Sequence, residues 1–251
     1  LRRKYIYDFD DAIWLPNYSE SNAKFHKLKA YGKVKRIIKW ADKICVGNEY
    51  LKNYAVKYNP NVQVIPTTID LLNVHNQVTD DNSEEIIIGW TGSHTTMSYL
   101  PIIAPVLERL AKNFHFKFRV ISNQPPSIHL ENLEFIEWKK ETEIEDLAAI
   151  SIGIMPLKDN PWTQGKCGFK GLQYMALKIP SVLSNVGANK EIISHNNNGY
   201  LCDSEEEWYR TLCELIKNIE LRKLIGENGY QTIKKNYSVT ANKSKYLALF
   251  Q

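Results

Sequence analysis

The stretch IIIGWTGSHTT at residues 86–96 holds the transition on which the fold assignment turns. Its first five residues are a continuous apolar run, the pattern of a strand buried on both faces of a parallel sheet. The glycine, serine and threonines that follow mark a turn into a helix, where Leu100, Ile103, Ala104, Leu107, Leu110 and Ala111 recur at helical intervals. Downstream, FKFRVIS (116–122), LEFIEW (133–138), ISIGIMPL (150–157), PSVLS (180–184) and YLC (200–202) are further strand candidates separated by helical segments. Six strands with crossovers make one complete doubly wound α/β unit. Its tail is helical, with Trp208, Leu212, Leu215 and Ile216 in one stripe and Leu221, Leu224 and Ile225 in another.

Upstream, a shorter α/β series precedes it. YIY (5–7), KICVG (43–47) and VQVIP (62–66) read as strands. A helix is expected over residues 24–40, with Val34, Ile37, Ile38 and Ala41 on one side, and a second over residues 49–57. The polar, aperiodic run VHNQVTDDNSE (74–84) has the composition of a linker. The expected organisation is a partial N-terminal Rossmann-like unit (1–72), a linker (73–84), a C-terminal Rossmann-like domain (85–236) and a terminal helix (237–251). The chain opens on LRRK rather than methionine, and a whole Rossmann domain of about 150 residues does not fit before the linker. The first unit is therefore expected to be part of a larger domain.

The chain has 251 residues, 43% hydrophobic and 24% charged, which is globular usage and excludes disordered, collagenous and coiled-coil classes. The formal charge of +4 is too small to argue for a nucleic-acid partner. Cys45, Cys167, Cys202 and Cys213 lack the CxxC spacing of a zinc site or a disulfide framework, as expected for a reducing cytoplasm. No apolar run approaches the roughly 20 residues that span a bilayer.

In open α/β sheets ligands bind beyond the carboxyl ends of the strands. The first such loop is TGSHTT (91–96). Gly92 permits close approach of a ligand, Ser93, Thr95 or Thr96 suits a helix N-cap, and a phosphate fits the free N–H groups. The same residues also read as an ordinary strand-to-helix turn, with His94 a solvated turn residue. The second loop, DNPWTQGKCGFKGLQYMA (159–176), is more telling. Gly165 and Gly168 allow tight turns, while Lys166 and Lys170 bring two cations to a helix start, where they oppose the dipole unless an anion is present. A pyrophosphate resolves that conflict, with Trp162 and Phe169 as apolar walls. The alternative is a glycine turn flanked by surface lysines, with Phe169 in the core. Trp138 at a strand end is either a platform for a base or a cap on the core. Glu191 in GANKEII (187–193) either orients a ligand or caps its helix. In YDFDDAIW (7–14) Asp8 and Asp10 have the Asp-x-Asp spacing of a weak metal motif. Placement beside an acceptor, or structural hydrogen bonding, is the preferred role for Asp8, Asp10 and Asp11, with no metal expected.

These segments resemble the GT-B glycosyltransferases of the retaining group called family four or group one. The likeness runs through residues 86–100, 153–193, 197–202 and 206–208, and more loosely through 7–14 and 41–51. It implies two Rossmann-like domains around a cleft, with a UDP- or GDP-sugar donor held by the C-terminal one. A glycan or lipid-linked acceptor would face the N-terminal one, and the last helix would cross back to it. Gly92, Ser93 and His94 would then contact phosphate or sugar, Lys166 and Lys170 would take the diphosphate in place of the Arg and Lys that many members of the group use there, and Gly168 and Phe169 would also lie on the donor side. Trp138 would lie by the base and Gln173 by the ribose. The chain departs from the group where acidic residues are usual eight positions apart, since Gly165 and Gln173 stand there. The TGSHTT loop also lacks a cation, Ser151 replaces a frequent aspartate in a structural position, and no catalytic nucleophile is identifiable. The implied activity is transfer of a sugar, with retention, in bacterial surface polysaccharide synthesis. The implied setting is the cytoplasm, at the inner face of the plasma membrane if the acceptor is membrane-bound. The isolated chain is expected to be inactive. A nucleotide-sugar-binding protein without turnover is one alternative; a Rossmann epimerase or dehydrogenase is another, although no GxGxxG follows a strand.

Overall fold

The computed structural model describes residues 4–16, 30–77 and 85–251. In the first part, strands β1 (Ile6–Phe9), β2 (Lys43–Val46) and β3 (Val62–Val64) form a parallel sheet in that order. Helices α1 (Lys33–Trp40) and α2 (Glu49–Ala55) connect them. Val34 and Ile38 of α1 and Leu51 and Ala55 of α2 are buried against Phe9, Ile44 and Val46 on one face of the sheet. The helix expected from residue 24 begins at Lys33 among the described residues: 31 and 32 form a turn, Gly32 is the N-cap, and residues 24–29 lie outside those described. Residues 73–75 of the expected linker lie in a turn that begins at residue 71, and 78–84 lie outside the description.

The second sheet contains β4 (Ile87–Thr91), β5 (Lys117–Ser122), β6 (Leu133–Glu137), β7 (Ile152–Met155), β8 (Ser181–Ser184) and β9 (Tyr200–Cys202). All pairings are parallel and the order is β6-β5-β4-β7-β8-β9. The strand order reverses at β4, so the loops after β4 and β7 flank the crevice where such sheets bind ligands. Alternation along β4 sends Ile88 and Trp90 to one face and Ile87 to the other. The first face is covered by α3 (Ala104–Ala111) and α8 (Glu205–Lys217) through Leu107, Leu110, Trp208 and Leu212. The second is covered by α4 (Glu143–Ala148) and by Tyr174 and Leu177, at the end of α6 (Phe169–Ala176).

The single helix read over residues 100–111 is two pieces. Pro101 lies in a 3-10 helix, Met97–Ile102, and Pro105 then starts α3, because proline lacks the N–H that an α-helix interior needs. Short helices α5 (Pro161–Gln164) and α7 (Asn189–Ile192) follow β7 and β8, and α9 (Ile219–Thr232) follows α8. Ile225 of α9 is buried but Leu224, expected beside it, is exposed. A π-helical turn, Ile233–Tyr237, leads to α10 (Val239–Leu247), whose N-cap is Ser238. This terminal segment reaches the first sheet: Leu249 packs with Cys45 and Ile65, and the Lys43 ammonium donates to the Ala248 carbonyl at 3.0 Å.

One side chain ties the centre of the second sheet to the helix below the crevice. The Tyr174 hydroxyl accepts from the Thr91 N–H at 3.1 Å and donates to the Ile154 carbonyl at 3.3 Å, joining β4 to β7. Its ring lies over Gly153, where an added Cβ would sit 2.3 Å from ring carbon. Ser151 is structural here as well, its buried hydroxyl accepting from the Ile87 N–H at 3.1 Å. Tyr174→Phe leaves the Thr91 N–H without that partner, and a loss of about 1–3 kcal/mol in a urea unfolding titration is expected.

Candidate functional site

A cavity of about 290 Å³ lies between the loop after β7 and the segment following β1. Lys166, Lys170, Gly168 and Phe169 line it from one side, and Asp10 and Asp11 from the other. The loop that carries the lysines is built by local capping. Asn160 accepts from the Trp162 and Thr163 N–H groups, and Thr163 closes the capping box and donates to the Lys158 carbonyl at 2.6 Å. Gly168, at φ +70°, is the N-cap of α6 and supplies no side chain to its N–H groups. A left-handed residue is needed there to turn the chain into the helix, and a Cβ would also meet Ile192.

Gly165 lies in the turn that ends α5, as the sequence suggested, but the turn does not itself require glycine. Its φ is −78°, an ordinary helical value. A Cβ there would lie 2.8 Å from the Ala12 backbone nitrogen, so the glycine is required by close approach of two backbones. Asn48 fixes the same approach. Its carbonyl oxygen accepts from the Leu51 N–H and caps α2, while its amide donates to the carbonyls of Gly165 at 3.2 Å and Lys166 at 3.1 Å. Cys167 adds a thiol contact to the Asp10 carbonyl, and burial pushes that thiol up to about 12.

The two lysines differ. The Lys166 ammonium lies 3.6 Å from Asp11 Oδ1 and 5.9 Å from the Trp162 ring centroid. The Lys170 ammonium stands 5.6 Å over the Trp90 ring centroid. Burial, with Lys166 nearby, pulls Lys170 down to about 8. Burial raises the Asp11 carboxyl above its ordinary value, opposed chiefly by Lys166. Phe169 is 45% exposed at the rim, which removes its reading as a core residue.

The other candidates lie around this cavity rather than in it. Gly92 packs on the Trp90 ring beneath Lys170, since a Cβ there would approach ring carbons at 2.7 Å. Ser93 and His94 are exposed; the His94 N–H donates to Asn123 Oδ1, and the Ser93 hydroxyl meets that of Thr95 at 2.8 Å. Neither serine nor threonine caps the following 3-10 helix, contrary to expectation, because Thr96 turns its hydroxyl to the Ser93 carbonyl. Trp138 is 41% exposed beyond β6, which removes its reading as a core cap. Asp8 faces the Cys45 thiol across the register and lines a neighbouring cavity of about 630 Å³, which Asp10 also reaches. Gln173 is buried, and its amide donates to Glu143 Oε1 at 3.2 Å. A carboxylate absent from position 173 is thus present beside it, contributed by another helix. Glu191 does not cap α7; it sits in its first turn, where burial raises its carboxyl.

Asn48, Cys167, Glu143 and Thr67, which also lines the small cavity, were not singled out from the sequence. Asn48 carried a readable N-cap signal before α2, but nothing local marked its contacts to residues 165 and 166. Among the described residues no three His, Cys, Asp or Glu side chains gather where a metal ion would fit. No helix among them is long and apolar enough to cross a membrane.

Two parallel Rossmann-like sheets, with the crevice at the switch point of the second, are the architecture of the GT-B glycosyltransferases, and comparison with known proteins agrees. The family described as "Glycosyl transferases group 1" matches residues 85–218, more than half of the chain, and the chain belongs to it. No curated protein matches the sequence. Among solved structures, TarM is similar with a TM-score of 0.77 at 16% identity, over 99% of this chain and 50% of that one. HepE from Anabaena, in complex with UDP-glucose, has a TM-score of 0.74 at 14% identity over 98% and 72%. WaaG, a glycosyltransferase involved in lipopolysaccharide biosynthesis, has a TM-score of 0.71 at 14% identity over 96% and 74%. At these identities the likeness is one of fold. The chain spans about half the length of TarM and about seven tenths of the other two.

The depressed Lys170 sets a pH dependence. A buried ammonium is costly while charged, so the folded state is penalised fully below about pH 8, and the penalty is relieved as pH rises from there toward 10.5. Lys170→Met is expected to raise the melting temperature at pH 7 and to leave it little changed near pH 10, measured by circular dichroism.

Proposed function

We propose that this chain carries the donor side of a retaining glycosyltransferase that moves a sugar from a UDP- or GDP-sugar to a hydroxyl of a glycan or lipid-linked acceptor. The reading rests on one observation: two lysines, one of them strongly desolvated, converge with the N-terminus of α6 on a single cavity. Charge that develops on a departing diphosphate is stabilised most by cations held in a water-poor site. Lys170, over Trp90, and Lys166 would take the phosphates. Gly92, Ser93 and His94 would close on phosphate or sugar from the loop after β4, Gly168 and Phe169 would border the diphosphate, and Trp138 would border the base. Gln173 and Glu143 together offer an amide and a carboxylate for ribose hydroxyls. Asp8, Asp10 and Asp11 face the cavities from the acceptor side. The sugar would pass through an oxocarbenium-like state, so that leaving-group stabilisation and placement of the acceptor hydroxyl carry the catalysis. No metal takes part in this reading.

UDP-glucose in the HepE structure and the lipopolysaccharide role of WaaG are properties of those proteins, and they support a nucleotide-sugar donor and a surface-polysaccharide setting here. Calorimetric titration with UDP, GDP and NAD tests the reading. One of the two diphosphates should bind, and Lys170→Ala should weaken it by at least tenfold, the scale of a charge-assisted hydrogen bond. NAD binding alone would favour a dehydrogenase or epimerase. Diphosphate binding with no donor consumption by the whole enzyme, across candidate acceptors, would favour a binding protein without turnover.

A cytoplasmic enzyme acting on a lipid-linked acceptor has to meet the inner leaflet. α1 suits that contact, since Lys33, Lys35, Arg36 and Lys39 are exposed along it with no acidic residue, and Trp40 at its end is 56% exposed. Sedimentation with vesicles containing phosphatidylglycerol should pellet the chain, and the quadruple change of those cations to Gln should abolish it. Equal pelleting with neutral phosphatidylcholine vesicles would reject the electrostatic contact.

A further inference from the structure

The anion-binding lysine nearest the first sheet already has an anion. Lys166 is paired with Asp11, whose side chain comes from the segment after β1, and the separation of 3.6 Å is long for a charge-assisted pair, which closes to about 2.7–2.9 Å at its strongest. The carboxylate is 39% exposed while the lysine side chain is 18% exposed, so water reaches the acid more readily than the base. The backbones of both partners are fixed. The Cys167 thiol contacts the Asp10 carbonyl, Gly165 abuts Ala12, and the Asn48 amide holds the carbonyls of residues 165 and 166. Only the side chains have freedom to exchange partners.

We propose that Asp11 is a resident surrogate for the donor's phosphate: it neutralises Lys166 until a nucleoside diphosphate displaces it, and the displaced carboxylate then faces the acceptor side of the cavity. This rests on the diphosphate reading given above. The exchange is favoured because a diphosphate brings more negative charge and more acceptor oxygens than one carboxylate, and Lys166 cannot serve both at close range. Lys170 plays the complementary part. Among the described residues it has no ion pair within 4 Å, so it is the cation that first meets the incoming anion, and Lys166 is the one that must be exchanged. Asp11, once separated from Lys166, loses the main charge that offsets its burial, which makes the liberated carboxyl a readier hydrogen-bonding partner for a hydroxyl.

The competition predicts that removing the acid tightens diphosphate binding rather than weakening it. UDP and GDP are titrated into the full chain and into Asp11→Asn, Lys166→Met and the double variant, with affinity read by calorimetry. Asn keeps the shape of Asp, and Met keeps most of the length of the lysine stem without its charge. Asp11→Asn is expected to tighten binding about twofold to fivefold, the worth of a partly exposed pair, and Lys166→Met to weaken it about tenfold. In the double variant the gain from Asp11→Asn should vanish, because there is no lysine left to release. If Lys166→Met weakens binding but Asp11→Asn leaves it unchanged or weaker, the surrogate role is overturned and the diphosphate site stands. If the gain persists without Lys166, Asp11 acts by its long-range field and the exchange is overturned. If Lys166→Met has no effect, the placement of diphosphate on Lys166 itself fails.

Discussion

Asn48 is 1% exposed, and a buried side-chain amide without partners costs several kcal/mol, so its hydrogen bonds are constraints rather than accidents of packing. They run in two directions, to the first turn of α2 and to the carbonyls of residues 165 and 166. The loop that bears Lys166 and leads into α6, the helix of Lys170, is thereby pinned to the end of β2. Gly47 and Gly165 supply the room: a Cβ on the first would strike the Cys167 sulfur, and on the second the Ala12 backbone. The charges facing each other across the small cavity depend on this seam, because it sets how near Asp10 and Asp11 come to the lysines.

Within that frame the electrostatics are uneven by design of the surroundings. Lys166 sits beside an acid and a tryptophan, whereas the Lys170 ammonium stands over an aromatic face and, among the described residues, has no acid within 4 Å. A compact ammonium responds to burial by giving up its proton more easily, and Lys170 does so. A charge kept poorly solvated interacts strongly with whatever anion reaches it. The crevice therefore holds one cation prepared for a ligand and one already satisfied.

Much of the second sheet was legible because buried parallel strands are continuous apolar runs. Residues 86–90, 116–122, 133–138 and 200–202 each fall on a strand within a residue or two. Helix boundaries read less well where proline intervened, as at Pro101, and where the turn at 31–32 cut a long periodic stretch. The lysine loop was legible too, since cations at a helix start oppose the dipole and demand an explanation. What the sequence did not disclose was how distant segments meet. Gly165 is the turn residue it looked like and is also a contact residue; Gln173 looked like a missing acid and is a partner to one. Asn48 gave a local cap signal without its distant bonds. The Gly165 and Asn48 contacts depend on packing between the two units, and the Gln173 bond on two helices meeting over the second sheet; residue spacing holds no information on either.

Tyr174 and Gly153 bear on how this family member can change over time. The phenol ring occupies the volume a side chain at 153 would need, and its hydroxyl spans two central strands. A larger residue at 153 requires a smaller one at 174, and a smaller one at 174 opens a void and strands the Thr91 N–H. Neither step is easily taken first, so the two positions are free to drift only as a pair. The floor of the crevice is in that sense a ratchet, holding its geometry steady while the exposed loops above it vary.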